Sequence, residues 1–120
     1  MRVNGRDVKF LRTVSATCKI AELCPDGDIT NAGRLFEGSY QDSQKTTARF
    51  YEALSRGYEE NRKFKDPDYE PNPLTAEEAM TLTEEEFAKL FKEAVEAYTG
   101  EKVTVETEPA KKQKKTTKSN

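Results

Sequence analysis

Residues 83–100 read TEEEFAKLFKEAVEAYTG, and this stretch decides the fold class. Thr83 followed three positions later by Glu86 is a capping box. The hydroxyl accepts from the Glu86 amide while the carboxylate reaches back to the Thr83 amide. The acids Glu84, Glu85 and Glu86 also complement the positive end of a helix dipole. Phe87, Leu90, Phe91, Ala94, Val95 and Tyr98 then recur in steps that place them on one helix face. Gly100 is placed to close the helix, because glycine adopts a left-handed conformation without steric cost.

Working back toward the N-terminus, Thr75-Ala76-Glu77-Glu78 is a second capping box and opens a short helix. It is preceded by KDPDYEPNP at 65–73, where Pro67, Pro71 and Pro73 remove amide donors and favour an extended connection. Thr47, Phe50, Tyr51, Leu54 and Tyr58 predict a long helix over about 41–63, which Gly57 weakens by roughly 1 kcal/mol relative to alanine. A short helix is expected over 30–37, stopped by Gly38. Another is expected over 15–23, with Ala16, Ile20, Leu23 and Cys24 on one face and Pro25-Asp26-Gly27-Asp28 as its stop. At the start, Asn4-Gly5 suits a type I′ hairpin turn, and the alternation after it puts Val8 and Phe10 on one face of a strand. The first arm, Met1 to Val3, is too short to stand without support. Beyond Gly100, Lys102 to Glu106 alternates as a strand able to extend the hairpin into a small sheet.

The fold expected is α+β and mostly α. An N-terminal hairpin and a C-terminal strand form a small sheet packed with four to five helices. Residues 1–107 make a single domain, followed by a disordered lysine-rich tail over 108–120. Only 34% of the 120 residues are hydrophobic and 35% are charged, so the core must be small. Such a chain stands to gain stability from a partner. The net charge of −2 conceals an asymmetry: the closing PAKKQKKTTKSN holds five of the 20 basic residues, leaving 15 against 22 acids elsewhere. An acidic body argues against duplex binding, which depends on neutralised phosphates. The basic positions Lys111, Lys112, Lys114, Lys115 and Lys118 are the part able to touch nucleic acid.

The residue inventory removes most site chemistry. There is no histidine, so neither a Ser-His-Asp nor a Cys-His relay can be built. Cys18 and Cys24 are not in a CxxC pair, and they read as free thiols of a reducing cytoplasm. Asp26-Gly27-Asp28 lacks the remaining ligands of a calcium loop and reads as a turn. Glu77, Glu78, Glu84, Glu85 and Glu86 are explained by capping, and no glycine-rich phosphate loop is present. No segment has the roughly 20 apolar residues that span a bilayer, and the first ten residues contain no signal-like apolar run. The expectation is a non-enzymatic cytoplasmic protein without metal or cofactor that acts through its surface. The stripe Phe87, Phe91 and Tyr98 reads first as a core face and second as a partner groove. Tyr51 and Tyr58 on the long helix are the better candidates for an exposed binding surface, with Tyr40 and Tyr69 in connecting segments serving likewise.

Three stretches carry a resemblance: VNGRDVKFLRTVSATCKIAELCP (3–25), GRLFEGSYQDSQKTTARFYEALSRGYE (33–59) and LTEEEFAKLFKEAVEAYTGEKVTVE (82–106). Their order of hairpin, helices and acidic surface, with a lysine-rich close, resembles the tail assembly chaperones of long-tailed phages and prophages of Gram-positive bacteria. The resemblance lies in general pattern over residues 3–107, so no functional residue is transferred. It implies work in the bacterial host cytoplasm. There the protein would coat the long helical tape measure protein, keep it soluble and help recruit tail tube subunits, with homo-oligomers compatible. It also implies a longer form made by −1 ribosomal frameshifting, for which Lys111-Lys112 and Lys114-Lys115 suggest A-rich codons. A gene without a slippery heptamer and overlapping frame would remove that expectation. The alternatives are a structural tail component and a small regulator whose basic tail touches nucleic acid.

Overall fold

The computed structural model describes residues 1–100. The strand expected at 102–106, the domain boundary at 107 and the lysine-rich segment lie outside them. Two short strands, β1 (Arg2–Val3) and β2 (Arg6–Asp7), pair antiparallel with Arg2 opposite Asp7 and Val3 opposite Arg6. Asn4 and Gly5 both have positive φ, 50° and 87°, as a type I′ turn requires. Helix α1 (Val14–Leu23) follows, capped by the Thr13 side chain. A 3₁₀ turn at Pro25–Gly27 stands where the turn after α1 was expected, and a second, Ile29–Arg34, takes the place of most of the short helix expected over 30–37. Helix α2 (Tyr40–Lys65) is the longest element described, and α1, α3 (Ala76–Ala79) and α4 (Glu84–Thr99) all pack on it. The α+β, mostly α class is thus the observed one.

The core collects around α2. Tyr51, Leu54, Ile20, Leu74 and Leu90 are fully enclosed, and Val3 and Val8 bring the hairpin into the same cluster. Each large side chain so buried contributes about 1.5–3 kcal/mol. After β2 the chain does not continue as a strand. It crosses α2, and the Leu11 amide donates to the Leu54 carbonyl at 3.0 Å. Gly57 makes that crossing feasible: a Cβ there would lie 2.4 Å from the Leu11 carbonyl oxygen and 3.3 Å from the Ala16 Cβ. The residue that weakens the helix by propensity is what lets its neighbour approach.

The proline-rich connection is held by a row of acceptors along α2. The Asn72, Leu74 and Ala76 amides donate to Glu59, Ser55 and Glu52 at 2.9, 2.8 and 2.7 Å. In an extended segment alternate amides face one way; Pro73, between Asn72 and Leu74, and Pro71, just before Asn72, have no amide to satisfy. Glu59, only 5% exposed, also accepts from the Tyr69 hydroxyl at 2.6 Å.

The two capping boxes differ. Around Thr83 both reciprocal bonds form. At Thr75 the hydroxyl accepts from the Glu78 amide, but the Glu78 carboxylate turns away to Arg6 (2.8 Å from Nη1) and Asn4 (2.8 Å). Arg6 also reaches the Asn72 carbonyl. This ties the short hairpin to α3 and supplies the support that its first arm lacks.

Candidate protein-binding groove

A groove of about 610 Å³ opens between the first half of α2, the α3–α4 connection and the first half of α4. Each wall follows from a local rule. Ser39 caps α2 by accepting from the Asp42 amide, which sets Tyr40 at the helix start and presents Ser43, Gln44 and Thr47 on the groove side. Thr83 caps α4 and so places Phe87 and Phe91 one turn apart on the opposite wall. Between the two capping segments, Met80 and Leu82 close the end.

The floor is aromatic. Tyr51 packs on Phe87 with ring centroids 5.0 Å apart, and its hydroxyl donates to the Phe87 carbonyl. Phe36 meets both Phe50 and Phe91 edge-on at 5.3 Å. The rim is left in water: Tyr40 is 63% exposed, Met80 47% and Phe91 37%. Among the described residues one charged side chain lines the groove, Glu84, which accepts from the Tyr40 hydroxyl at 2.7 Å. That bond holds the Tyr40 phenol above its usual pKa, and burial pushes Tyr51 up as well. The groove can bury apolar surface against a guest and offer it hydroxyl and carboxylate contacts.

The four tyrosines expected to form a surface do not share one. Tyr40 lies on the groove rim. Tyr51 is fully buried, which corrects its expected exposure: its position on α2 faces α4, and the ring fills the space beneath Phe87. Tyr58 is half-buried in a wider depression of about 1320 Å³ between the hairpin and α4, with Lys9 5.9 Å from its ring centroid. Tyr69 is a structural tie, bonded to Glu59 and stacked on Arg62 at 4.8 Å. The stripe on α4 divides: Leu90 and Ala94 are core, Phe87 and Tyr98 are half-buried, and Phe91 stands at the groove lip. The residues that sequence reasoning passed over are Phe36, Met80 and Leu82. An apolar Met-Thr-Leu run between two capping boxes was the available signal, since a short helix connection is ordinarily polar.

Lys111, Lys112, Lys114, Lys115 and Lys118 lie outside the described residues. Among the described residues, no group of three or more His, Cys, Asp or Glu side chains is placed to hold a metal ion, and no helix is long and apolar enough to cross a membrane. Comparison with models of known protein families, with curated proteins and with solved structures finds no match for this chain.

Proposed function

We propose that this chain is a non-enzymatic protein-binding protein, and specifically a phage tail assembly chaperone acting in the bacterial cytoplasm. Its client would be the long helical tape measure protein, kept soluble until tail tube subunits assemble around it. The observation that carries the binding role is the groove beside α2, where Tyr40, Met80 and Phe91 remain in water above an aromatic floor. A soluble fold leaves such a cluster open when a partner covers it. A groove between helices suits an amphipathic helix, whose apolar side chains at i, i+3 or i+4 and i+7 would enter in turn. Methionine at the rim adapts to irregular apolar surfaces, which suits a long client with many similar segments. The phage assignment itself is supported by the sequence resemblance described above.

The test is co-expression of the full chain with the long helical protein encoded beside it. We expect that protein to shift into the soluble fraction and to co-purify, and Met80→Lys to abolish both effects. Unchanged solubility together with no co-purification would overturn the proposal.

A further inference from the structure

We infer that Glu84 makes the groove selective for basic amphipathic helices: a lysine or arginine of the guest pairs with this carboxylate while the guest's apolar side chains meet Phe87 and Phe91. The inference rests on the client-binding role proposed for the groove. Of the three acids in the first turn of α4, two are already engaged. Glu85 is 3.4 Å from Lys89 Nζ, and Glu86 accepts from the Thr83 amide at 3.2 Å. Glu84 has no cation beside it among the described residues, and it alone of the three lines the groove. One of its oxygens accepts from the Tyr40 hydroxyl, and the other is open to a guest.

What it costs to cover that carboxylate depends on the guest. An apolar or acidic side chain laid over it strips water from a charge and supplies no partner, whereas lysine or arginine supplies a charge-assisted hydrogen bond. The opposite wall cannot substitute. Ser43, Gln44 and Thr47 carry no charge, and the Thr47 hydroxyl is engaged by the Ser43 carbonyl at 2.8 Å. Met80, Leu82, Phe87 and Phe91 accept any apolar stripe of fitting width, so these contacts alone discriminate poorly between helices. Glu84, Phe87 and Phe91 succeed one another on one face of α4 at intervals of three and four. The carboxylate therefore lies about 10 Å along the axis from Phe91. A guest helix running beside α4 meets all three when a cation stands one turn from one apolar residue and two turns from another on the same face.

Titration of the full chain with three synthetic helical peptides tests this. All three share one leucine stripe. The first carries lysine on the stripe, two turns from its last leucine. The second carries glutamate there. The third carries glutamine there and the lysine on the opposite face, so that its net charge equals that of the first. The first should bind about tenfold tighter than the second, one attraction being gained and one repulsion avoided. The third should forfeit most of that advantage, which separates pairing at Glu84 from the general pull of an acidic protein on a basic peptide. Added salt should narrow the spread. Glu84→Gln should bring the first and third peptides to one affinity. Its circular dichroism melt checks the fold, and the Thr83–Glu86 capping box remains in place to start α4. Equal binding of the three peptides, or discrimination that survives Glu84→Gln, would overturn this inference and leave client capture standing. Peptides that all fail to bind at millimolar concentration would overturn the groove as a helix site and this inference with it, while the co-expression experiment reads client capture separately.

Discussion

Replacing Gly57 with alanine pits a local rule against a tertiary one. By propensity alone, Gly57→Ala within a 26-residue helix should stabilise the protein by about 1 kcal/mol. The structure reverses the sign. The new Cβ would sit 2.4 Å from the Leu11 carbonyl oxygen and 3.0 Å from Thr13 Oγ1. The first of these is backbone and cannot rotate aside. Relief requires the 11–13 segment to lift from α2, which strains packing by about 1–3 kcal/mol. It also loosens the bond from the Leu11 amide to the Leu54 carbonyl, worth about 1 kcal/mol. Set against the propensity gain, the net loss is about 1–3 kcal/mol. For a domain of this size that lowers Tm by roughly 5–20 °C. Urea unfolding followed by circular dichroism reads the change as a lower midpoint at constant m. Gly33→Ala is the control, since its methyl meets nothing within 4 Å, and it should be neutral or stabilising by up to about 1 kcal/mol. A higher midpoint for Gly57→Ala would refute the close-approach account of this glycine.

Further outcomes follow from the same contacts. Ser55→Ala leaves the buried Leu74 amide without its acceptor and should cost about 1–3 kcal/mol in urea unfolding; a loss below about 0.5 kcal/mol would mean that the acceptor row on α2 does not hold the proline-rich segment. The hydrogen bond from Arg6 holds the Glu78 carboxyl below its usual pKa. A carboxylate with a lowered folded pKa stabilises above its unfolded value and loses that contribution as pH falls through the folded one. Stability should therefore decline below about pH 4.5, and Glu78→Gln should flatten this acid limb. An unchanged limb would show that the Arg6–Glu78 tie does not couple to folding. Cys18 is exposed, whereas Cys24 is buried, donates to the Ile20 carbonyl and has its thiol pKa pushed up by burial. A disulfide reagent should consume one thiol quickly and the second only on unfolding. Two equally fast thiols would contradict the packing of α1.

What could be read from the sequence is what neighbouring residues decide among themselves. The helix starts at Thr13, Ser39, Thr75 and Thr83 are side chains accepting from amides three positions on. The turn at Asn4-Gly5 and the end of α4 at Gly100 follow from backbone freedom at single residues. These forces act within one turn of chain, so their pattern is visible without a fold. The tertiary structure decided everything that needs a partner far away in sequence. Glu78 had a capping partner three residues off and took Arg6, 72 positions distant, because a charged pair there also anchors the hairpin. Glu52, Ser55 and Glu59 look like ordinary polar positions until an extended segment lies across them. Tyr51 and Tyr40 are the same residue type on the same helix, yet one is sealed under α4 and the other stands at a rim. Which face of α2 is covered depends on where α4 docks, and periodicity along one helix carries no information about its neighbour's position.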